Sequence, residues 1–138
     1  MKGSGPPFPV PDADSAPFWA CCARGRLSAQ RCTDCGRWRH PPGEFCPGCH
    51  SQASDWVELP GSGVVRSWVV VHRVLHPALG KVPYVLAEVV LDGADGQVVL
   101  TTKLLGCQPG DVRIGLPVAA EFTPVSPEIA LPTMRGGN

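Results

Sequence analysis

Two cysteine pairs, Cys32 with Cys35 and Cys46 with Cys49, restrict what this chain can fold into more than any other feature. Each pair encloses two residues, so a tight turn aims both sulfurs at one point. Ten residues separate the pairs, enough for a short strand out and back. Four thiolates spaced this way suit tetrahedral zinc in a closed structural site, with no position left open for a substrate. Gly36 follows the first pair, and Pro47 and Gly48 lie inside the second. These residue types accept the strained backbone of a metal knuckle. The spacing therefore predicts a fold device, with Cys32, Cys35, Cys46 and Cys49 as ligands, and says little about any reaction.

A chain of 138 residues allows one ordinary domain, or a small metal-clamped module joined to a compact core. A ribbon of about 30 residues buries too little apolar surface to stand alone, so the metal substitutes for the missing core. Twelve basic residues balance twelve acidic ones, which argues against a protein built chiefly to grip phosphate backbones. No apolar run reaches the roughly 18 residues of a membrane span. The first 14 residues are rich in proline and small side chains and lack the apolar stretch of a signal peptide. Paired cysteines without such a signal point to a reducing cytoplasm and to metal, not disulfides. Cys21, Cys22 and Cys107 then read as small, partly buried side chains.

Along the chain, residues 1–13 read as a flexible arm and 14–31 as an N-terminal helix with a lead-in strand. Residues 32–55 form the ribbon, 56–125 an OB-fold and 126–138 a C-terminal tail. Asp14, Ser15 and Pro17 mark the helix start and Gly25 its stop, with Phe18, Trp19, Cys22 and Ala23 on one side. Fifteen valines between Val57 and Val118 favour strands. Strands are expected at 56–59, 64–72, 84–91, 97–104 and 117–122, with a hairpin turn at 91–96 and a helical turn within 108–114. Five short strands in about 70 residues close into a small barrel. The fold class is thus mainly β: a helical arm, a four-cysteine rubredoxin-like zinc ribbon and a five-stranded OB-fold barrel.

Period-two alternation divides the strands into faces. Val65, Val69 and Val71 are assigned to the interior, with Val85, Ala87, Val89 and Leu91, then Val98, Leu100, Thr102 and Leu104, then Val118, Ala120 and Phe122. The outer faces carry Arg66, Trp68, Val70 and His72 on one strand and Tyr84, Leu86, Glu88 and Val90 on the next. A wall of Trp68, Val70, Tyr84, Leu86 and Val90 is unusually apolar for a solvent-facing surface. Either a partner covers it or the N-terminal helix or ribbon does.

An N-terminal helix, a four-cysteine ribbon and a valine-rich barrel, in that order, resemble the acyl-CoA-associated OB-fold/zinc-ribbon family, long catalogued as a domain of unknown function. The matching residues include Phe18-Trp19, Gly25-Arg26-Leu27, Gln30-Arg31-Cys32, Cys35-Gly36, Pro41-Pro42, Cys46-Pro47-Gly48-Cys49 and Trp56. They continue with Gly61-Ser62-Gly63-Val64-Val65, Trp68-Val69-Val70-Val71-His72, Pro83-Tyr84-Val85, Ile114-Gly115 and Val118. The resemblance covers about residues 15–135. Cys21-Cys22 and residues 75–82 are less typical of it.

It implies a non-catalytic companion of thiolase-like enzymes: acetoacetyl-CoA thiolases, acyltransferases of that fold, or lipid-transfer-protein-type aldolases of steroid side-chain degradation. In related assemblies the OB domain sits against the thiolase-fold enzyme or is fused to a MaoC-like hydratase. The implied partnership is a hetero-oligomer acting in lipid metabolism. It stabilises the enzyme and helps form the path of its acyl-CoA, for which Arg66, His72 and Arg73 are candidate contacts. The family supplies zinc ligands and no catalytic residue.

Two other readings compete. Single-stranded nucleic acid could stack on Trp68 and Tyr84 and meet Arg66 and Arg73, but residues 57–122 carry five basic against six acidic side chains. Arg24, Arg26, Arg31, Arg37 and Arg39 make the ribbon region mildly basic and read as a solvated surface or as contacts for an acidic partner or CoA phosphates. Iron in the same four-thiolate site would give an electron carrier. Catalysis by the chain itself has little support, because His40, His50, His72 and His76 are scattered and form no nucleophile–base pair.

Overall fold

The computed structural model describes residues 9–74 and 81–136. Residues 1–8 of the expected arm, and most of the 75–82 stretch with His76, lie outside the described residues. Helix α1 (Ala16–Ala23) opens the fold, with Pro17 in its first turn and Gly25 just beyond its end. Asp12 and Ser15 close the entry reciprocally: the Ser15 amide donates to Asp12 Oδ1 at 2.8 Å and the Asp12 amide to Ser15 Oγ at 3.0 Å. The buried stripe is Phe18, Cys21 and Cys22, the i, i+3, i+4 spacing of a helix face. Trp19 packs beside it and Ala23 is exposed, so Cys21 takes the inward place expected of Ala23.

Strands β1 (Leu27–Cys32), β2 (Trp38–Arg39) and β3 (Ser54–Leu59) make one antiparallel sheet in the order β2-β1-β3. Residues 56–59, expected to open the barrel, instead pair along β1 from Leu27↔Leu59 to Gln30↔Trp56. The barrel is closed by β4 (Ser62–Val71), β5 (Tyr84–Leu91), β6 (Val99–Leu105), β7 (Pro117–Pro124) and β8 (Ala130–Gly136), in the order β4-β5-β6-β8-β7. Its fifth strand is thus β8, in the stretch read from sequence as a tail. Pro124, Pro127 and Pro132 disguise it, since proline supplies no ladder N–H. Met134 of β8 is fully buried. A 3-10 turn, Pro109–Asp111, lies before β7.

One β-bulge decides which residues face out. The β4–β5 register runs Val65↔Val89 and then Ser67↔Glu88, leaving Arg66 as the extra residue. Arg66 and Ser67 both point to solvent and share one carboxylate: Arg66 Nε donates to Glu88 Oε1 at 3.1 Å and Ser67 Oγ at 2.7 Å. Beyond the bulge the alternation is inverted. Trp68 and Val70 pair with the buried Ala87 and Val85 and pack against the core. Val69 and Val71, expected inside, lie opposite Leu86 and Tyr84, and Val69 is 59% exposed.

Helix, ribbon and barrel share one apolar core. Phe18, Cys22, Leu27, Trp38 and Leu59 are continuous with Val65, Val89, Ala94, Val98 and Met134. The Trp38 amide also donates to Gln97 Oε1 at 2.9 Å, tying the ribbon to the β5–β6 turn. Gly63 allows β4 to approach β5, because a Cβ there would stand 2.4 Å from the Val90 carbonyl oxygen.

Candidate metal centre and barrel wall

The two cysteine pairs fold into matching knuckles. The Gly36 amide donates to the Cys32 carbonyl and the Cys32 amide to the Arg37 carbonyl. The His50 amide likewise donates to the Cys46 carbonyl, and the Cys46 amide to the Ser51 carbonyl, all at 2.8–2.9 Å. The residue after each pair is left-handed, Gly36 at φ 80° and His50 at φ 66°. The Ser51 hydroxyl donates to Asp34, joining one knuckle to the other.

This geometry brings all four sulfurs within 4.8 Å of one another. Cys32 Sγ lies 3.6 Å from Cys49 Sγ, and Cys35 Sγ 3.5 Å from Cys46 Sγ. A tetrahedron with metal–sulfur bonds of about 2.3 Å has edges of about 3.8 Å, so the cluster is sized for one ion. The first cysteine of each pair is a buried residue and the second an exposed one. Backbone amides stabilise negative charge on the inner thiols: Cys46 Sγ accepts from the Gly48 amide at 3.3 Å and the Cys49 amide at 3.5 Å. The Cys49 amide, with help from that of Gly48, pulls the Cys46 thiol down to about 6. The Cys35 amide lowers Cys32 in the same way. A soft, charged, closed donor set of this kind fits zinc in a structural role.

The remaining predicted residues are distributed unevenly. Tyr84, Leu86 and Val90 do face outward and are half-buried, while Trp68 and Val70 turn to the core side for the reason given above. The wall sequence reasoning missed is Val69 and Val71 beside Tyr84 and Leu86. Only the cross-strand register reveals it. Arg66 is engaged by Glu88, and His72 and Arg73 are exposed past the end of β4, so these three are not gathered into one pocket. Arg39 is not a solvated ribbon arginine. It is 6% exposed and donates Nε to the buried Gln30 Oε1 at 2.8 Å. Arg31 lies over the Trp38 ring, 5.1 Å from its centroid. Cys21 and Cys22 are buried, and burial, reinforced by Cys21, pushes the Cys22 thiol up to about 12, an inert thiol at neutral pH. Cys107 is half-buried. His50 is exposed, and burial lowers the pKa of His40 by disfavouring its charged form.

Residues 19–55 match the family model described as ChsH2, rubredoxin-like zinc ribbon domain, and residues 56–123 that of ChsH2, C-terminal OB-fold domain. A DUF35 domain-containing scaffold protein of Methanocaldococcus jannaschii is 35% identical over 70% of this chain and 67% of its own length. The chain belongs to the ChsH2 (DUF35) family. Its ribbon accordingly carries structural zinc. A solved structure described as an Ltp2-ChsH2(DUF35) aldolase matches at a TM-score of 0.83 and 39% identity, over 94% of this chain and 98% of the matched one. A probable enoyl-CoA hydratase alpha subunit of Thermomonospora curvata is 40% identical over 94% of this chain. A 3-oxo-4,17-pregnadiene-20-carboxyl-CoA hydratase alpha subunit of Mycobacterium tuberculosis is 34% identical over 88%. This ChsH2-family chain spans 39% and 42% of those two hydratase subunits, about two fifths of their length. No helix among the described residues is long and apolar enough to cross a membrane.

Proposed function

We propose that this chain is a non-catalytic accessory module that docks on, and stabilises, a thiolase-fold enzyme acting on acyl-CoA. Cys32, Cys35, Cys46 and Cys49 supply the four thiolates that rigidify it. The observation that carries the reading is the near full-length match to the chain of the Ltp2-ChsH2(DUF35) aldolase. A lipid-transfer-protein-type steroid side-chain aldolase is accordingly the partner of choice. A MaoC-like hydratase is our second proposed neighbour, in line with the two relatives named as hydratase alpha subunits, and we place the assembly in the cytoplasm. The physical support is the wall of Val69, Val71, Tyr84 and Leu86, which the chain's own helix leaves open at Val69. Apolar side chains in such numbers on an outer barrel face serve association better than solvation.

The nucleic-acid reading loses two of its four named contacts here. Trp68, its main stacking residue, packs on the core, and Arg66 is paired with Glu88.

The test is co-expression with a thiolase-fold enzyme encoded beside this gene. The pair is expected to copurify, and Val69→Lys to abolish copurification while leaving zinc content and the unfolding midpoint unchanged. An enzyme that purifies alone, soluble and fully active, would falsify the proposal.

A further inference from the structure

Helix, ribbon and barrel meet at a groove of about 820 Å³. Its lining combines Phe18 and Trp19 of α1, His40 and the two prolines that follow β2, and Leu86 and Leu131 of the barrel. The groove lies where the barrel is loosely closed. Strands β6 and β8 pair in parallel at only two positions, Leu104↔Met134 and Leu105↔Arg135. Pro132 has no N–H with which to extend that ladder, and Thr102 Oγ1 donates to its carbonyl at 2.6 Å instead. Thr102 and Pro132 both line the groove.

Most polar groups around this groove are already committed. The hydroxyls of Thr102 and Thr133 donate to the carbonyls of Pro132 and Glu121, and Ser15 Oγ accepts the Asp12 amide. Lys103 is engaged as well, its Nζ 4.9 Å over the Tyr84 ring in one of its contacts. Thr101 and Thr123 are exposed. His40 differs from all of these. It is half-buried, with its ring tilted against that of Phe18 at 5.4 Å between centroids. Among the described residues its ring nitrogens have no hydrogen-bond partner, and neither is walled off from solvent. Burial disfavours the charged form, and a neutral imidazole offers one donor and one acceptor. An apolar cleft with one such uncommitted group has the make-up of a small-molecule site. An ionised ligand would lose its hydration against these walls, whereas a neutral oxygen finds a hydrogen bond.

We propose that this groove binds an uncharged ligand with a hydrocarbon body and one oxygen, a hydroxyl or a carbonyl. The body lies among Phe18, Trp19, Leu86 and Leu131, and the oxygen meets the His40 imidazole. The proposal does not rest on the partner enzyme, although Tyr84 and Leu86 belong to both the groove and the wall. Val69 does not line the groove, so the docking test and this one respond to different substitutions.

The experiment is equilibrium dialysis of the zinc-loaded chain, at neutral pH, against 2-naphthol, naphthalene and 2-naphthoate in turn. Saturable one-to-one binding of naphthol is expected, about five- to tenfold tighter than either of the others, the size of one net hydrogen bond. His40→Phe should bring naphthol down to the affinity of naphthalene while leaving naphthalene unchanged. Leu131→Glu should weaken both neutral probes about tenfold, by placing a charge among the apolar walls, with zinc content and circular dichroism intact. Leu86→Glu replaces it should that variant not fold. Absence of saturable naphthol binding up to about 1 mM overturns the proposal. So does naphthol binding no tighter than naphthalene, naphthoate binding tighter than naphthol, or naphthol affinity indifferent to His40→Phe or to the charged leucine variants.

Discussion

Gly36 and His50 occupy the same place in two knuckles with matching backbone hydrogen bonds, and only one of them is a glycine. Both are left-handed, a conformation that costs a residue with a Cβ about 1–2 kcal/mol. The knuckle imposes this conformation because the amide at that position must reach back to the first cysteine's carbonyl. Gly36→Ala is therefore expected to destabilise the zinc-loaded protein by about 1–2 kcal/mol. His50→Gly should stabilise it by a smaller amount, since glycine's extra freedom when unfolded offsets part of the relief. Urea denaturation of the two variants checks the pair, and equal effects of the same sign would contradict the equivalence. Glu88 allows a second prediction at this scale. The Ser67 hydroxyl, and then Arg66, hold its carboxyl below the usual range in the folded state. A depressed folded pKa stabilises the fold above the unfolded carboxylate value, and that contribution disappears as pH falls through the folded one. The stability gap between the native protein and Glu88→Gln should consequently be present at neutral pH and vanish in acid.

At the level of elements, the Arg66 bulge matters more than the valine content of β4. Strict alternation would bury Val69 and Val71 and expose an indole, whereas one extra residue does the reverse. Stability measurements separate the two arrangements cleanly. Trp68→Ala should cost about 2–4 kcal/mol, somewhat less than truncating a fully buried aromatic. Val69→Ala should stay within about 0.5 kcal/mol, as for a surface site. The opposite ranking would restore the alternating reading. Similar logic explains β3 and β8. Residues 54–59 are as suited to a barrel as to a ribbon, and only the length of β1 available for pairing claims them. Proline-containing β8 is tolerated because its pairing is complete with β7 and confined to two positions with β6.

For the molecule as a whole, the shared core makes zinc a matter for the barrel as well as the ribbon. Trp38, Leu59 and Phe18 pack in the same cluster as Val89, Val98 and Met134. Chelation of the metal, or Cys46→Ser, should thus melt the ribbon and lower the barrel's unfolding midpoint. Near-ultraviolet circular dichroism of the tryptophans would report the loss, and inductively coupled plasma analysis the metal. A barrel that unfolds at an unchanged midpoint after zinc loss would show the two modules to be energetically separate. Because thiolates bind the ion, zinc uptake should also weaken as the medium is acidified.

The metal cluster was legible in the residues alone because its rule is local: two residues between ligands, a turn at each pair and, in the first knuckle, a glycine where the backbone goes left-handed. Helix α1 and the strand-rich second half were legible for the same reason, since an early proline, a glycine past the helix end and β-branched runs act over a few positions, although Ser15 makes no side-chain cap bond. Nothing local distinguishes β3 as a ribbon strand, β8 as the barrel's fifth strand, or Arg66 as a bulge. Those depend on which distant carbonyl each amide finds, and a one-residue slip in that choice moves a whole face from core to solvent. The outward wall at Val69, the buried Arg39 and the β6–β8 closure of the barrel were for this reason settled by long-range pairing, after the short-range chemistry had already fixed where the thiolates meet.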